Sequence, residues 1–144
     1  MKEILVAVDG SKHSERIVDY ASELAKSIAA KIVTVYVVPE VKIPEEYKEY
    51  AKAEHIDPSR YYVAVGEQII SQMRRRIEKS GVEFEGIYEF GHPSSKIIEI
   101  ANRRKVSVIV VGLHGLHGLG KLQALGSTAR RVIENSSVPV VVVP

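Results

Sequence analysis

The sequence predicts a three-layer α/β domain in which helices cover both faces of a parallel five-stranded sheet. Short apolar runs of strand length alternate along the chain with longer segments in which apolar residues recur at helical spacing. Strands that alternate with helices are expected to pair in parallel through right-handed crossovers. The 144 residues suit a single domain, residues 1–144, and the absence of cysteine excludes a disulfide scaffold and a thiolate metal site.

The first half of the chain predicts two strands and two helices. The runs 4–8 and 32–38 are almost wholly apolar, which is typical of strands buried on both faces of a sheet. Apolar residues at helical spacing predict helices over 17–28 and 60–79. The turn Asp9-Gly10-Ser11 follows the first strand and has the residue types of a turn that leads into a helix.

The segment 40–57 differs in composition from the rest of the chain. Half of its residues are charged, and Pro44 and Pro58 enclose a stretch rich in Tyr and Glu. We interpret this segment as a charged insertion that is partly helical over 45–54. A segment of this composition more often forms a solvated surface than a partner-binding face.

The second half of the chain predicts three more strands and two more helices. The segment 82–90 alternates, with Glu83, Glu85 and Glu89 on one face, and so predicts a half-exposed edge strand. The other elements are, in chain order, a helix that begins within 91–95 and continues through Ala101, a buried strand over 106–111, a glycine-rich segment over 112–126, a short helix over 127–135 and a last strand over 138–143.

Charge and targeting patterns narrow the possible partners. Lys and Arg number 20 and Asp and Glu number 18, so the net charge is only +2 at pH 7. This balance gives no electrostatic reason to expect nucleic acid or an anionic membrane as a partner. No apolar run approaches the roughly 20 residues that span a bilayer, and the N-terminal residues lack a signal-peptide pattern. We therefore expect a cytoplasmic protein.

The glycine-rich segment is the strongest candidate for a binding site. Glycine lets a ligand approach the backbone, and a helix N-terminus with free N–H groups favours phosphate. Ser127 and Thr128 add hydroxyl donors, and no Asp or Glu occurs from Gly112 to Arg131. The alternative is that the glycines only form turns and that Ser127 caps the helix. A P-loop and a dinucleotide fingerprint are excluded because Leu122 and Gln123 stand where those motifs need other residues.

Four features together resemble the universal stress protein family: a hydrophobic strand that ends in Asp9, Gly112-x2-Gly115, Gly126-Ser127, and a closing strand that contains Pro139-Val140-Val141-Val142. The resemblance covers essentially the whole chain. It implies a Rossmann-like, adenine nucleotide alpha hydrolase-like fold with strand order 3-2-1-4-5, a homodimer and, in one branch of the family, bound ATP. Ten residues separate Gly115 from Gly126, where the family pattern has nine.

The resemblance also implies a role for each matching residue. Asp9 would face the adenosine and Val37 would contact the adenine of ATP, ADP or AMP. The residues implied to line the nucleotide are Val111, Gly112 and Gly115, and those implied to hold the phosphates are Gly126, Ser127 and Thr128. Mg²⁺ would be carried by the phosphates rather than by a site built from the protein.

For Asp9 and for two histidines, the sequence allows more than one interpretation. Asp9 either accepts hydrogen bonds from a ligand or caps its own turn with its side chain. His114 and His117 have metal-ligand spacing, but no carboxylate lies in their segment, so we interpret them as solvent-facing histidines.

No catalytic residue is predicted. Hydrolysis of ATP needs a group that orients the attacking water, and the glycine-rich segment offers none beyond Gln123. We expect a regulatory nucleotide-binding protein with at most slow hydrolysis. The alternatives are a weak ATPase and a relative that binds no nucleotide and acts through dimer contacts.

The two predicted sheet edges differ in charge. The edge strand over 82–90 carries glutamates that discourage pairing with another chain, whereas the strand from Val138 to Val143 has no charge. An uncharged apolar edge strand must be covered if the protein is not to aggregate. A two-fold copy of the same strand can cover it by antiparallel pairing, so we expect a homodimer through the last strand. Helices of the same subunit are the alternative cover.

Overall fold

The computed structural model describes residues 1–114 and 125–144, and these residues form one parallel sheet with helices on both faces. The strands are β1 (Lys2–Ala7), β2 (Ala30–Val38), β3 (Phe84–Phe90), β4 (Val108–Gly112) and β5 (Val140–Val143). Their order is β3-β2-β1-β4-β5, with every neighbouring pair parallel. The predicted fold class and strand order are therefore confirmed.

The described helices are α1 (Ser14–Ile28), a 3₁₀ turn (Glu45–Tyr47), α2 (Lys48–Ala53), α3 (Ser59–Lys79), α4 (Pro93–Arg104) and α5 (Ser127–Asn135). The 3₁₀ turn and α2 lie in the charged segment 40–57, where Ala51 is buried and the tyrosines are exposed. Within the described residues, no helix has both the length and the apolar character that crossing a membrane requires.

The core consists of two apolar clusters, one on each face of the sheet. Alternate residues of β1 serve opposite clusters: Ile4 and Val6 pack toward α1 and α3, and Leu5 packs toward α4 and α5. All three side chains are fully buried, because β1 is the central strand and both of its faces are covered. The continuous apolar pattern of the first strand follows from this position.

The predicted bounds of both edge strands differ from those of the structure. The strand predicted over 82–90 begins at Phe84, and the one predicted over 138–143 begins at Val140. Val82 is nevertheless buried, and the Pro139 carbonyl accepts a bond from the Ile109 N–H at 2.9 Å. Apolar residues therefore continue beyond the regular strand at both edges, which is why the sequence pattern looked longer.

A cluster of four charged residues joins α4 to three strands at the amino ends of those strands. The Arg104 guanidinium contacts Glu3 of β1 at 2.7 Å and Glu85 of β3 at 2.9 Å, and Lys31 of β2 contacts Glu85 at 2.7 Å. Glu85 was expected to guard an exposed edge, but it is half-buried and paired with two cations. Arg104, the last residue of α4, reaches this face of β3, so the charge of Glu85 is paired within the chain.

The hydrogen bonds from Arg104, and then those from Lys31, lower the pKa of Glu85 from 4.5 to about 2. A carboxyl whose pKa is lower in the folded than in the unfolded state stabilises the fold above its unfolded pKa. That contribution is lost as the pH falls from about 4.5 toward 2. The charge cluster therefore makes stability depend on pH in the acidic range.

Replacing Glu85 by glutamine tests this dependence. We expect Glu85→Gln to lower the free energy of unfolding by about 1–2 kcal/mol at pH 7, the range of a partly buried network. The difference from wild type should shrink steadily as the pH falls below 4.5, measured by urea denaturation at several pH values. Exposed Glu23 supplies the control, because Glu23→Gln should change stability little at any pH. A deficit for Glu85→Gln that persists undiminished at the lowest pH would contradict the assignment.

Candidate functional site

The carboxyl edge of the sheet has a switch point beside β1. The chain leaves β1 toward α1, and β1 pairs with β2 on one side and with β4 on the other. Open parallel sheets bind ligands at such a point, because the loops of the two neighbouring strands diverge there and leave a crevice. The His13 and His114 rings, which follow β1 and β4, lie 6.5 Å apart between centroids. The two turns therefore face each other, as the sequence predicts.

The turn after β1 is held by Asp9. Its Oδ1 accepts a hydrogen bond from the Ser11 N–H at 2.8 Å. This oxygen therefore caps its own turn, which is the second of the two interpretations of Asp9. Gly10 has a φ of +81°, and a Cβ there would lie 2.7 Å from the Cδ1 of Ile69, so the position requires glycine. Asp9 remains half-buried rather than enclosed. Its carboxylate is thus presented at the crevice in a fixed orientation.

The segment after β4 begins in close packing against α1. Val111 is buried, and a Cβ on Gly112 would lie 2.8 Å from the Cδ1 of Ile17. Leu113 then donates its N–H to the Val143 carbonyl at 2.8 Å and accepts the Gly126 N–H at 2.8 Å. This last bond joins the two ends of the glycine-rich segment. Gly126 therefore lies beside the end of β4 despite the ten-residue spacing. Gly115 and His117, with the rest of 115–124, lie outside the described residues.

Gly126 occupies the N-cap position of α5. Its φ of −60° and ψ of 152° are extended values, and Ser127 is the first residue of the helix. The interpretation of Ser127 as the N-cap is therefore wrong, because the chain turns into the helix one residue earlier. Ser127 is exposed, Thr128 is half-buried, and the first turn contains no acidic residue. A helix start of this kind presents free N–H groups and a partial positive charge to an anion.

Val37 lies near the carboxyl end of β2. Val35 pairs with Ala7, so Val37 is level with the turn that contains Asp9. Its half-buried side chain packs against the apolar cluster of α4 and α5. The structure thus places Val37 at the same edge of the sheet as Asp9 and Gly112.

Tyr36 is a residue of this edge that the sequence interpretation missed. Its side chain is 6% exposed, and its ring occupies the space that a Cβ on Gly66 of α3 would need. Burial raises the pKa of Tyr36, and nearby Tyr62, Asp9 and Tyr61 raise it further. The ring of Tyr36 is thus enclosed between β2 and α3. A glycine inside an otherwise helical pattern was the signal of this close approach.

A contact between α4 and α5 was also missed. Arg131 Nη1 lies 2.6 Å from His92 Nε2, and Ser94 Oγ lies 3.0 Å from His92 Nδ1. These side chains line a shallow cleft of about 450 Å³. Pro93 is the first residue of α4, so the proline of this turn starts a helix. Among residues 1–114 and 125–144, no group of three or more His, Asp and Glu side chains could hold a metal ion.

An open parallel sheet of this strand order, with its switch point beside β1, defines a class of three-layer α/β domain. Comparison with known proteins narrows the class: the universal stress protein family matches residues 1–144, and the chain belongs to this family. Universal stress protein YxiE of Bacillus subtilis is 33% identical over 97% of this chain and 97% of its own length. Universal stress protein MJ0531 of Methanocaldococcus jannaschii is 32% identical over 99% of this chain and 81% of its own length.

Solved structures of the same fold agree with this assignment. The structure of MJ0577 from Methanocaldococcus jannaschii superposes with a TM-score of 0.80 at 25% identity and covers 99% of this chain and 94% of its own. A universal stress protein solved in complex with cAMP has a TM-score of 0.67 at 26% identity, over 99% of this chain and 95% of its own.

The packing of Gly112 against Ile17 can be tested with a double-mutant cycle. We expect Gly112→Ala to lower the free energy of unfolding by about 1–2 kcal/mol, because the added Cβ meets the Cδ1 of Ile17. Ile17→Val removes that atom, so the two losses should be clearly less than additive in the double variant, measured by chemical denaturation.

Ile77 of α3 provides the control for this cycle, since it is equally buried but lies away from Gly112. Gly112→Ala combined with Ile77→Val should give additive losses. Additive losses for the Gly112 and Ile17 pair as well would show that the two residues are not in contact.

Proposed function

We propose that this protein is a regulatory module that binds an adenine nucleotide, ATP, ADP or AMP, in the crevice between the Asp9 turn and the start of α5. The observation that carries the proposal is the 2.8 Å bond between the Gly126 N–H and the Leu113 carbonyl. It brings the N-terminus of α5, whose first turn has no acidic residue, to the end of β4, the strand that pairs with β1. The cAMP complex of a 26% identical relative supports an adenine nucleotide as the ligand.

The proposed contacts divide the nucleotide between the two sides of the crevice. Asp9 accepts hydrogen bonds from the adenosine, and Val37 contacts the adenine. The N–H groups at the start of α5 suit the phosphates, because glycine at position 126 leaves their approach free of a side chain. The full sets are Val111, Gly112 and Gly115 along the nucleotide and Gly126, Ser127 and Thr128 at the phosphates. The phosphates carry Mg²⁺, for which they are sufficient ligands together with water.

The same residues favour binding over rapid hydrolysis. Catalysis of phosphoryl transfer to water needs a side chain that orients the water. From Gly112 to Arg131 the sequence has no Asp or Glu that could do so. We therefore propose at most slow turnover. The nucleotide released when freshly purified protein is denatured separates the candidates: ATP favours a binding module, ADP a weak ATPase, and no nucleotide a relative that acts through protein contacts.

Gly126 provides the direct test of the phosphate contacts. Its backbone angles are extended, so valine fits the backbone and the fold should survive. We expect Gly126→Val to weaken ATP binding by about 2 kcal/mol or more, because a branched side chain then stands where the phosphates approach. Isothermal titration with Mg²⁺ present measures the change.

The control for this variant lies on the same helix. Glu134 is exposed near the far end of α5, so Glu134→Val should leave the affinity near that of wild type. If wild-type protein binds neither ATP nor ADP nor AMP, the proposed function is wrong, and the interpretation through dimer contacts alone takes its place.

We also propose that the protein is a homodimer joined along β5. The carbonyls of Pro139 and Val143 accept hydrogen bonds from the N–H groups of Ile109 and Leu113. Because successive residues of a strand direct their backbone groups to opposite sides, the N–H groups of Val140 and Val142 face the open edge. A two-fold copy can pair antiparallel with this edge and close the assembly. The cytoplasmic location and the absence of nucleic-acid and membrane partners stay predictions.

Val142 allows the backbone contact to be removed without disturbing the bonds to β4. Val142→Pro removes an edge N–H, so we expect a shift from dimer to monomer in sedimentation equilibrium. Val142→Thr has a similar volume and keeps the N–H, so it should remain dimeric. A wild-type protein that sediments as a monomer at tens of micromolar would rule out the dimer.

A further inference from the structure

The cleft between α4 and α5 is separate from the crevice at the switch point. Both helices pack on the sheet face that contains Leu5, whereas α1, which follows the Asp9 turn, packs on the opposite face. The residues that line the cleft come from the start of α4 and the second half of α5: His92, Ser94, Ser95, Ile98, Arg131 and Asn135. The proposed nucleotide contacts use none of these residues.

Arg131 differs from several other arginines in what it contacts. Among the described residues, arginines that contact a carboxylate include Arg74, Arg76, Arg103 and Arg104. Arg131 instead has its Nη1 2.6 Å from the Nε2 of His92, and no Asp or Glu of the described chain forms a salt bridge with it. The described residues therefore orient the charge of Arg131 without neutralising it.

The contact with Arg131 also fixes the tautomer of His92. A guanidinium only donates hydrogen bonds, so the Nε2 of His92 is the acceptor and carries no proton. The ring proton is then on Nδ1 and is donated to the Ser94 Oγ, 3.0 Å away. This tautomer directs a proton rather than a lone pair at the Ser94 hydroxyl, so His92 is not the base of a Ser–His pair. The two side chains instead hold Arg131 in place.

The charges around the cleft favour an anion. None of the described residues that line it is acidic. Glu99, the one acidic residue of α4, directs its carboxylate oxygens to Lys96 and Arg103 of the same helix, at 3.3 and 3.8 Å. Ser95 is exposed and adds a hydroxyl donor to the lining. The cleft therefore combines a guanidinium with a hydroxyl and presents no carboxylate to repel an anion.

This set of donors suits a phosphate group. A guanidinium has five N–H donors in a planar fork, and the contact with His92 leaves others for a ligand. Phosphate oxygens can accept two hydrogen bonds from such a fork and a further one from a hydroxyl at the same time. A carboxylate bound to the fork would have both of its oxygens in use and would leave the hydroxyl without a partner. The cleft volume of about 450 Å³ leaves room for a phosphate and for water around it.

We propose that the cleft between α4 and α5 is a second anion site, which binds a free phosphate ion through Arg131 and Ser95. His92 and Ser94 are its positioning residues, because they act through Arg131. Ser127 and Arg131 lie one turn apart on α5, so the ion binds beside the helix whose start we assign to the nucleotide phosphates. The inference goes beyond the proposed function and does not depend on it, because the residues of the two sites differ.

Titration of the full chain with inorganic phosphate tests the site. Phosphate replaces chloride at constant pH and ionic strength, and the ring signals of His92 are followed by NMR. Wild-type protein should show a saturable shift of these signals, because the bound ion shares the guanidinium that contacts the ring. Arg131→Gln should weaken the binding about tenfold, the effect of losing a charge-assisted hydrogen bond. This variant should remain folded, because Arg131 is exposed.

Two variants serve as matched controls. Arg130 is the exposed neighbour of Arg131 on α5 and does not line the cleft. Arg130→Gln removes the same charge from the same helix, so it should bind phosphate as wild type does. Gly126→Val obstructs the start of α5 and should also leave the shift of His92 unchanged. The controls therefore separate the cleft from the general charge of α5 and from the proposed nucleotide site.

The remaining outcomes have distinct meanings. Absence of a saturable shift in wild-type protein would overturn the inference, whatever the protein does with nucleotides. Equal weakening by Arg131→Gln and Arg130→Gln would reduce the site to a general positive surface and overturn it as well. If free phosphate does not bind and Arg131→Gln weakens binding of ATP but not of AMP, the cleft takes the terminal phosphate of the nucleotide, and the separate site is wrong. Phosphate binding as expected without any nucleotide binding would support the cleft and remove the proposed function alone.

Discussion

The position of β1 between β2 and β4 is the constraint on which the remaining structure depends. Because β1 is central, both of its faces are covered, and its side chains link the two apolar clusters of the core. The same position makes its carboxyl end the point where neighbouring connections diverge. The two-sided core and the switch point beside β1 are therefore two consequences of one strand order.

Polar groups are used differently at the amino ends and at the carboxyl ends of the strands. At the amino edge, the charge cluster of Glu3, Lys31, Glu85 and Arg104 ties three strands to the end of α4. At the carboxyl edge, polar groups are instead presented outward, by the Asp9 turn and by the start of α5. Paired charges at the amino ends of the strands stabilise the fold, while the polar groups at the carboxyl ends are those to which we assign the proposed nucleotide.

Packing around the crevice is tight where backbone meets side chain. Gly10 approaches Ile69, Gly66 approaches the ring of Tyr36, and Gly112 approaches Ile17. Each glycine lets a helix or turn come closer to the sheet edge than another residue would allow. This close approach gives the Asp9 carboxylate and the end of β4 defined positions before any ligand arrives. For the proposed nucleotide, preorganisation of this kind lowers the entropic cost of ordering the site on binding.

The sequence by itself determined the architecture, because apolar periodicity reports burial directly: the continuous runs of β1 and β4 require cover on both faces. It also identified Asp9, Gly112 and Gly126 as residues of strand ends and a helix start. Strand bounds at the edges were less certain, since Val82 and Pro139 contribute to burial or bonding without belonging to a regular strand.

Only the tertiary structure decided which distant residues meet. Three such contacts are the pairing of Glu85 with Arg104, the packing of Tyr36 against Gly66 and the bond from Gly126 to Leu113, and each joins residues from different parts of the chain. Nothing in local spacing specifies such contacts, because they depend on strand order and on how closely each helix approaches the sheet.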